Sequence, residues 1–280
     1  MIESIAKLYA WYGVHPRPKL PKRTPANFGL PFEEVAFPSN CPKQVKLAGW
    51  FIPVENPKAV VVLCHGVDAN AACLVHKAAM LAEAGFSTLL FDFRANGRSE
   101  GEFCTLGYLE KEDVLGAINY LESREDTKSL KIFALGESLG GSAIIRAAAE
   151  TDKIRAIVSE ATFASLKDAI GQRLKPLGKL GDRVYSRLEE IARVKYEIDF
   201  EEVSPERAVQ SISPRPILFI VCGWDLLCSK GESERLYNAA KEPKERWDAQ
   251  RALHTFACRT HPEEYKKRVT NFFLKALKPD

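Results

Sequence analysis

The sequence lacks the features that would direct the protein to a membrane or a nucleic acid. It has no run of about 18 or more apolar residues, so no membrane-spanning helix is expected, and Met1-Ile2-Glu3 does not begin a secretory signal peptide. Neither charge predominates, since 40 basic residues stand against 37 acidic ones, and no nucleic-acid-binding surface is indicated. These absences favour a soluble cytoplasmic protein.

Paired cysteines are also lacking. The seven cysteines include no Cys-x-x-Cys pair, are odd in number and mostly lie in apolar contexts typical of strands. We interpret them as reduced core residues, with a metal site or a disulfide framework as the less favoured alternative, and no cofactor is expected. The length of 280 residues and the hydrophobic content of 46% suffice for a single buried core.

The first 31 residues are predicted to form a separate N-terminal segment. Apolar residues at helical spacing over residues 1–12 predict a short amphipathic helix, and the four prolines of residues 15–25 predict an extended strap. Contact of this helix with a membrane or with a second copy of the chain is an alternative, so homo-oligomerisation stays open. The main domain is predicted to span residues 32–280.

Strands alternate with helices throughout the main domain. The predicted strands are 32–37, 45–53, 59–64, 86–93, 130–135, 154–159, 216–222 and 244–249. This alternation predicts an α/β fold with a mostly parallel central sheet, helices on both faces and ligand sites at the carboxyl ends of the strands. Residues 162–213 interrupt the alternation of strands and helices. This segment of about fifty residues has helical periodicity, and we interpret it as a cap insertion.

The segment Gly136-Glu137-Ser138-Leu139-Gly140 lies between a predicted strand and an alanine-rich helix. Glycines two positions before and after Ser138 allow a strand to turn directly into a helix with the serine hydroxyl exposed at the apex. The spacing therefore predicts a nucleophile elbow with Ser138 as the catalytic nucleophile.

A nucleophilic serine needs a base to accept its proton and an acid to orient that base. Asp225 follows the strand predicted at 216–222, and His254 lies in the loop before the final helix. The chain order Ser, Asp, His is the order found in α/β-hydrolases, so Ser138, Asp225 and His254 are predicted to form a catalytic triad.

Other titratable residues have structural interpretations. Glu160 also follows a strand and stays an alternative acid, whereas Asp92 is expected to pair with a cation such as Arg94 or Arg98. His261 directly precedes a proline and is expected to cap the last helix.

The oxyanion formed during acyl transfer needs two N–H donors. The backbone N–H of Leu139 lies at a helix N-terminus, where the helix dipole also favours negative charge. The loop Cys64-His65-Gly66-Val67 follows the central strand, and the N–H of Val67 is the predicted second donor. An ordinary strand-to-helix turn is the alternative interpretation of this loop.

These segments together resemble the α/β-hydrolase superfamily, in particular its capped branch of serine esterases and peptidase-like enzymes. The resemblance covers residues 32–280 and rests on residues 63–66, 91–99 and 136–140 together with Asp225 and His254. It implies the α/β-hydrolase fold and a carboxylesterase-like activity on small-molecule esters through an acyl-enzyme. Amide or thioester cleavage and acyl transfer would use the same residues, and a non-catalytic binding protein is the alternative from another class.

Two segments depart from the pattern of this superfamily. Ala95-Asn96 stands where many relatives have Gly-His, and Cys222-Gly223-Trp224 replaces the more usual His-Gly before the acid. Neither change removes a catalytic group. Apolar cap residues are expected to face the sheet and line an acyl pocket, namely Phe163, Leu166, Ile170, Leu174, Leu177, Leu180 and Val184.

Overall fold

One eight-stranded sheet with helices on both faces organises the fold. The structure is a computed structural model that describes residues 1–16 and 20–278, so part of the strap predicted at 15–25 lies outside the described residues. The strands are β1 (Glu33–Pro38), β2 (Lys46–Ile52), β3 (Val60–Cys64), β4 (Ser87–Phe91), β5 (Ile132–Glu137), β6 (Ile154–Glu160), β7 (Ile217–Cys222) and β8 (Lys244–Ala249). The α-helices of the described ranges are α1 (Ile2–Val14), α2 (Val75–Glu83), α3 (Glu110–Ser123), α4 (Leu139–Glu150), α5 (Leu166–Leu174), α6 (Lys179–Tyr196), α7 (Pro205–Ala208), α8 (Lys230–Ala239), α9 (Ala257–Thr260) and α10 (Pro262–Ala276).

The spatial order of the strands is β1-β2-β4-β3-β5-β6-β7-β8. Within this sheet β2 runs antiparallel to β1 and β4, and the pairs from β4 to β8 are all parallel. The predicted mostly parallel sheet is therefore confirmed. Because parallel strands end at the same edge, the loops that follow β3, β5, β7 and β8 emerge together there.

Strand β3 illustrates why the sheet is buried on both faces. Its five residues are fully buried, and successive side chains point to opposite faces of the sheet. Val60, Val62 and Cys64 belong to the core shared with α3 and α4, whereas Val61 and Leu63 belong to the core shared with α2 and α10. An apolar run without alternation is the pattern that such a doubly covered strand requires.

The sequence predicts a helix over residues 107–123, and α3 begins three residues later, at Glu110. The carboxylate of the buried Glu110 accepts hydrogen bonds from the backbone N–H groups of Thr105, at 2.7 Å, and Gly107, at 2.6 Å. Gly107 has a φ of +102°, which an L side chain rarely adopts. These contacts hold residues 105–109 as a loop, and α3 starts at the residue whose side chain anchors it.

The predicted cap consists mainly of α5 and α6, and it packs against the N-terminal helix. A third apolar core joins Ala6, Ala10 and Val14 of α1 to the cap, where Leu188 and Ala192 of α6 belong to the same cluster. Small residues on both helices allow their backbones to approach closely. Helix α1 thus covers much of the apolar face that the cap presents.

The expected orientation of Leu177 is wrong. Its side chain is 48% exposed, because it lies in the turn between α5 and α6, where Gly178 has a φ of +55°. Leu174, the last residue of α5, is buried as expected. None of the helices in the described ranges combines the length and apolar character that crossing a membrane requires.

Candidate active site

Ser138 lies in the predicted strand, tight turn and helix, between the end of β5 and the start of α4. Its backbone has φ of 52° and ψ of −112°, a strained combination for a residue other than glycine. The Ser138 N–H donates to the Glu160 carbonyl oxygen at 2.8 Å, and the Ser142 N–H donates to the Ser138 carbonyl oxygen at 3.1 Å. These bonds hold the strained turn, and the half-buried serine remains accessible.

The neighbouring glycines are required by sterics. A Cβ atom on Gly136 would lie 2.5 Å from the carbonyl carbon of Gly140, and one on Gly140 would lie 2.2 Å from the carbonyl oxygen of Cys64. Both distances are shorter than real Cβ contacts, and the opposing atoms are backbone. The glycine spacing seen in the sequence therefore reflects close packing of α4 against the ends of β3 and β5.

The structure brings Asp225 and His254 together. Nδ1–H of His254 donates to Oδ2 of Asp225 at 2.7 Å. The other carboxylate oxygen of Asp225 accepts the N–H groups of Leu227 and Cys228, each at 2.8 Å, and only 3% of the Asp225 side chain is exposed. The carboxylate is thus held in place on both sides, and it directs the proton of the imidazole to Nδ1.

Backbone contacts join the two loops that carry this pair. The Gly223 N–H donates to the Ala249 carbonyl oxygen, and the Trp224 N–H donates to the Ala252 carbonyl oxygen, both at 2.9 Å. Within the described residues, the Ser138 hydroxyl makes no hydrogen bond to His254. The structure therefore joins the predicted acid to the predicted base, while the contact between base and nucleophile belongs to the proposal below.

The two predicted oxyanion donors lie on either side of the Ser138 turn. Leu139 is the first residue of α4, directly after Ser138. Val67 follows Gly66 in the loop after β3, and a Cβ atom built on Gly66 would lie 3.5 Å from the Cβ atom of Ser138. The loop thus passes beside Ser138, the predicted nucleophile, as an oxyanion-binding loop must.

His65 supports this loop from below. Nδ1–H donates to the Gly66 carbonyl oxygen at 2.7 Å, and Nε2 accepts the Phe93 N–H at 3.0 Å, which makes the ring neutral. Burial lowers the pKa of His65, although the Asp92 charge acts to raise it. Sequence reasoning placed His65 in the motif without a role for its side chain. In the structure the ring links the Gly66 carbonyl oxygen to the Phe93 N–H and so holds the loop in place.

A buried charged cluster lies beside the Ser138 turn and was missed by sequence reasoning. We call Lys77, Glu137, Glu160 and Tyr265 the buried cluster. Nζ of Lys77 lies 2.5 Å from a carboxylate oxygen of Glu137 and 2.5 Å from one of Glu160, and the Tyr265 hydroxyl donates to Glu160 at 2.9 Å. At 7% or less, the exposure of all four residues places two carboxylates and one ammonium in the interior.

Burial and mutual charge determine the ionisation of this cluster. Burial raises the pKa of Glu137, while the nearby Lys77 acts to lower it. Burial acts to lower the pKa of Lys77, but the Glu137 and Glu160 carboxylates outweigh it and raise that pKa well above its usual value. The lysine is therefore charged. The charge of His254 also acts to lower the pKa of Glu137.

Glu160 connects the Ser138 turn to the loop that carries His254. Its carbonyl oxygen holds the Ser138 N–H, and its carboxylate accepts the Ala257 N–H at 3.1 Å. The carboxylate is bound to Lys77, Tyr265 and Ala257, whereas Asp225 binds His254. The alternative of Glu160 as the acid partner of the histidine therefore has no hydrogen bond to support it.

The remaining sequence candidates have structural partners. The Asp92 carboxylate accepts the N–H groups of Ala71, at 2.7 Å, and Arg98, at 2.9 Å. Arg94 pairs instead with Asp113 at 2.5 Å. Nε of Arg98 lies 3.5 Å from Oδ2 of Asp92, so the prediction that Asp92 pairs with a nearby cation, Arg94 or Arg98, is confirmed with Arg98 as the partner.

The prediction that His261 caps the last helix is confirmed, because His261 is the N-cap residue of α10 and its carbonyl oxygen accepts the Tyr265 N–H at 2.9 Å. Its side chain makes no capping hydrogen bond, and the ring Nε2 lies 2.5 Å from the Gln250 carbonyl oxygen. All seven cysteines are free thiols, and no group of three metal-ligating side chains occurs in the described part of the chain.

A family model described as serine aminopeptidase, S33, matches residues 55–213, more than half of the chain. The chain belongs to the S33 family. The predicted α/β-hydrolase superfamily and fold are thereby confirmed. The S33 chain is 31% identical over 243 residues to YfhR, an uncharacterized protein of Escherichia coli O157:H7, and the match covers 84% of this chain and 78% of YfhR.

A second relative is YqkD of Bacillus subtilis (strain 168), also uncharacterized, with 25% identity over 236 residues, 81% of this S33 chain and 74% of YqkD. Among solved structures, the Pyrococcus furiosus esterase Pf2001 superposes with a TM-score of 0.77 and 25% identity over 95% of this chain and 100% of the esterase. The α/β-hydrolase GrgF from Penicillium sp. sh18 has a TM-score of 0.71 and 19% identity over 89% and 99% of the two chains, which is a likeness of fold alone.

Proposed function

We propose that this S33-family hydrolase cleaves carboxylic esters of small molecules through an acyl-enzyme, with Ser138 as nucleophile, His254 as base and Asp225 as acid. The observation that carries the proposal is the 2.7 Å hydrogen bond between His254 and Asp225, in loops that leave the same sheet edge as the Ser138 turn. Asp225 fixes the tautomer in which Nε2 of His254 keeps its lone pair, and Nε2 is then free to accept the serine proton.

The reaction follows from these positions. Oγ of Ser138 attacks the ester carbonyl while its proton passes to Nε2 of His254, and the N–H groups of Leu139 and Val67 stabilise the oxyanion. His254 then gives the proton to the departing alcohol, which leaves the acyl group on Ser138. A water molecule then attacks the acyl carbon while His254 takes its proton, the bond from the acyl carbon to Oγ of Ser138 breaks, His254 returns the proton to Oγ, and the carboxylic acid leaves. The bond between Ser138 and His254 is expected to form with substrate bound, since such contacts often tighten in the Michaelis complex.

The esterase likeness and the S33 family description support two different leaving groups. The Pf2001 neighbour is an esterase, whereas the family description names a peptidase. Parallel kinetics on a p-nitrophenyl ester and a p-nitroanilide of the same acyl group separate the two, because both leaving groups are coloured and only the bond cleaved differs. We expect kcat/KM to be higher for the esters, and the reverse order would transfer the proposal to peptide cleavage.

Replacing Ser138 by alanine tests the nucleophile directly. Loss of a triad member lowers kcat by about a thousandfold or more, so Ser138→Ala is expected to abolish turnover and labelling by a fluorophosphonate probe. Ser142→Ala is the matched control, because Ser142 lies one turn later in α4 with its hydroxyl buried. Retention of more than a tenth of the activity by Ser138→Ala would transfer the nucleophilic role to another residue.

A further inference from the structure

A cavity of about 230 Å³ lies between the N-terminal helix, the cap and the loop after β3. Helix α1 contributes Tyr9 and Gly13 to its wall, and the cap contributes Leu166 and Leu174. Val67 and Leu106 complete the side that faces the main domain. The lining is largely apolar, and its two charged residues, Asp68 and Arg173, are both exposed at the surface.

One end of this cavity borders the proposed oxyanion site. Val67 is itself the proposed second donor, and it lines the cavity. Leu106 precedes Gly107, where an added Cβ atom would lie 3.5 Å from Cδ1 of Leu139. Val67 follows Gly66, where an added Cβ atom would lie 3.5 Å from the Cβ atom of Ser138, so this end of the cavity lies beside the Ser138 turn.

The helix that forms the outer wall is fixed at both ends. Near its start, the Glu3 carboxylate accepts two hydrogen bonds from the Arg187 guanidinium of α6, at 2.5 and 3.0 Å. At its end, the Val14 carbonyl oxygen accepts the Cys104 N–H at 2.7 Å. Between them, Ala6 and Ala10 are buried against the cap. Helix α1 is thus an integral part of the wall.

We propose that this cavity binds the acyl chain of the ester substrate and that α1 limits its length. The inference rests on the proposed function and names its substrate class. The volume of about 230 Å³ is several times what a single water molecule needs, so the cavity has room for an acyl chain of several carbons. Chains of this length bring enough apolar surface for the hydrophobic effect to hold them there.

Gly13 gives a sharp test, because it lines the cavity without filling it. A Cβ atom on Gly13 would meet a single neighbour, Cδ1 of Leu106, at an ordinary 3.9 Å. Gly13→Leu therefore places a side chain in the cavity without a backbone clash, and leucine favours a helix more than glycine does. The matched control is Gly171→Leu in α5, where an added Cβ meets nothing within 4 Å and which does not line the cavity.

The experiment measures the ratio of kcat/KM for p-nitrophenyl octanoate to kcat/KM for p-nitrophenyl acetate. Gly13→Leu is expected to lower this ratio at least fivefold, and Gly171→Leu is expected to retain the wild-type ratio. A smaller change in Gly13→Leu, or an equal change in both variants, overturns the assignment of the cavity.

A binding measurement separates this inference from the proposed function. Titration of octanoate into Ser138→Ala is expected to give saturable binding that is at least fivefold weaker in the Ser138→Ala, Gly13→Leu double variant. If no ester is cleaved by the wild-type protein but this difference appears, the cavity assignment stands and the proposed reaction falls. Equal octanoate binding by both variants overturns the cavity assignment whatever the activity.

Discussion

Removing the cation of the buried cluster is expected to destabilise the protein strongly, and by an amount that depends on pH. In Lys77→Met, the carboxylates of Glu137 and Glu160 remain buried without the ammonium that lies 2.5 Å from each. At an effective dielectric constant of about 20, two unit charges about 4 Å apart interact by about 4 kcal/mol. Leaving one side of a buried ion pair unpaired typically costs about 3–5 kcal/mol, and we expect a loss in that range at pH 8.

The sign of the pH dependence follows from the carboxylates. Without Lys77, burial raises the folded-state pKa of Glu137 further above its ordinary value, because the neighbour that lowers it is gone. A group whose pKa is raised on folding contributes its full stability below the unfolded-state pKa, and this contribution is lost as pH rises through the folded-state pKa. The deficit of Lys77→Met relative to wild type should therefore be smaller at pH 5 than at pH 8.

Urea unfolding of both proteins at pH 5 and pH 8 measures this difference as a change in the free energy of unfolding. Lys266→Met is the matched control, because Lys266 pairs with Glu83 on the surface with 45% of its side chain exposed. The control should change stability little at either pH. A Lys77→Met deficit that is below about 1 kcal/mol at pH 8, or equal at the two pH values, would refute the reasoning about the buried charges.

The remaining predictions concern catalysis and the cavity. Because the base must be neutral to accept a proton, kcat/KM should fall at acid pH, and His254→Ala should lose nearly all activity while His261→Ala keeps both activity and profile. The opposite outcome would make His261 the base. Leu174→Ala enlarges the cavity and should raise kcat/KM for decanoate relative to hexanoate esters, whereas Leu177→Ala, at an exposed position, should not. An equal shift in both would remove the cap from substrate selection. Gly140→Ala should prevent the native elbow, since its Cβ would lie 2.2 Å from a backbone oxygen, and a well-folded active variant measured by circular dichroism and ester turnover would contradict this.

Features that are local in the sequence could be predicted. The run of residues 60–64 is apolar on both faces and forms the central strand β3, and the glycines around Ser138 mark a turn that no other residue fits. Strand β8 occupies residues 244–249, as predicted. In each case the residues that determine the local structure lie within the strand or turn itself.

Features that depend on distant contacts could not be predicted. The amphipathic pattern of α1 shows an apolar face, but not that α6, more than 160 residues later, covers it. The expectation that Leu177 faces the sheet failed because α5 ends at Leu174, which leaves Leu177 exposed in the turn before α6. Helix periodicity alone does not indicate which partner a face will meet.

The buried cluster was missed although one signal was present. Lys77 lies three residues after Leu74 and four before Leu81, and both of these leucines are fully buried. A lysine on the apolar face of a helix indicates a buried counter-charge, because an unpaired ammonium in the core is too costly. Its partners Glu137 and Glu160 come from two later strands, so the sequence could reveal the need for a partner but not its identity.

The central claim is that Ser138 carries the acyl group during turnover. Wild-type protein mixed with p-nitrophenyl octanoate is quenched in acid within the first turnover, digested, and its peptides are analysed by mass spectrometry for the added octanoyl group. The account predicts the octanoyl group on Ser138, with none on the same peptide from Ser138→Ala. His254→Ala carries more octanoyl group than wild type only where loss of the base slows deacylation more than acylation. An octanoyl group on another residue, or turnover with no covalent intermediate at Ser138, would contradict it.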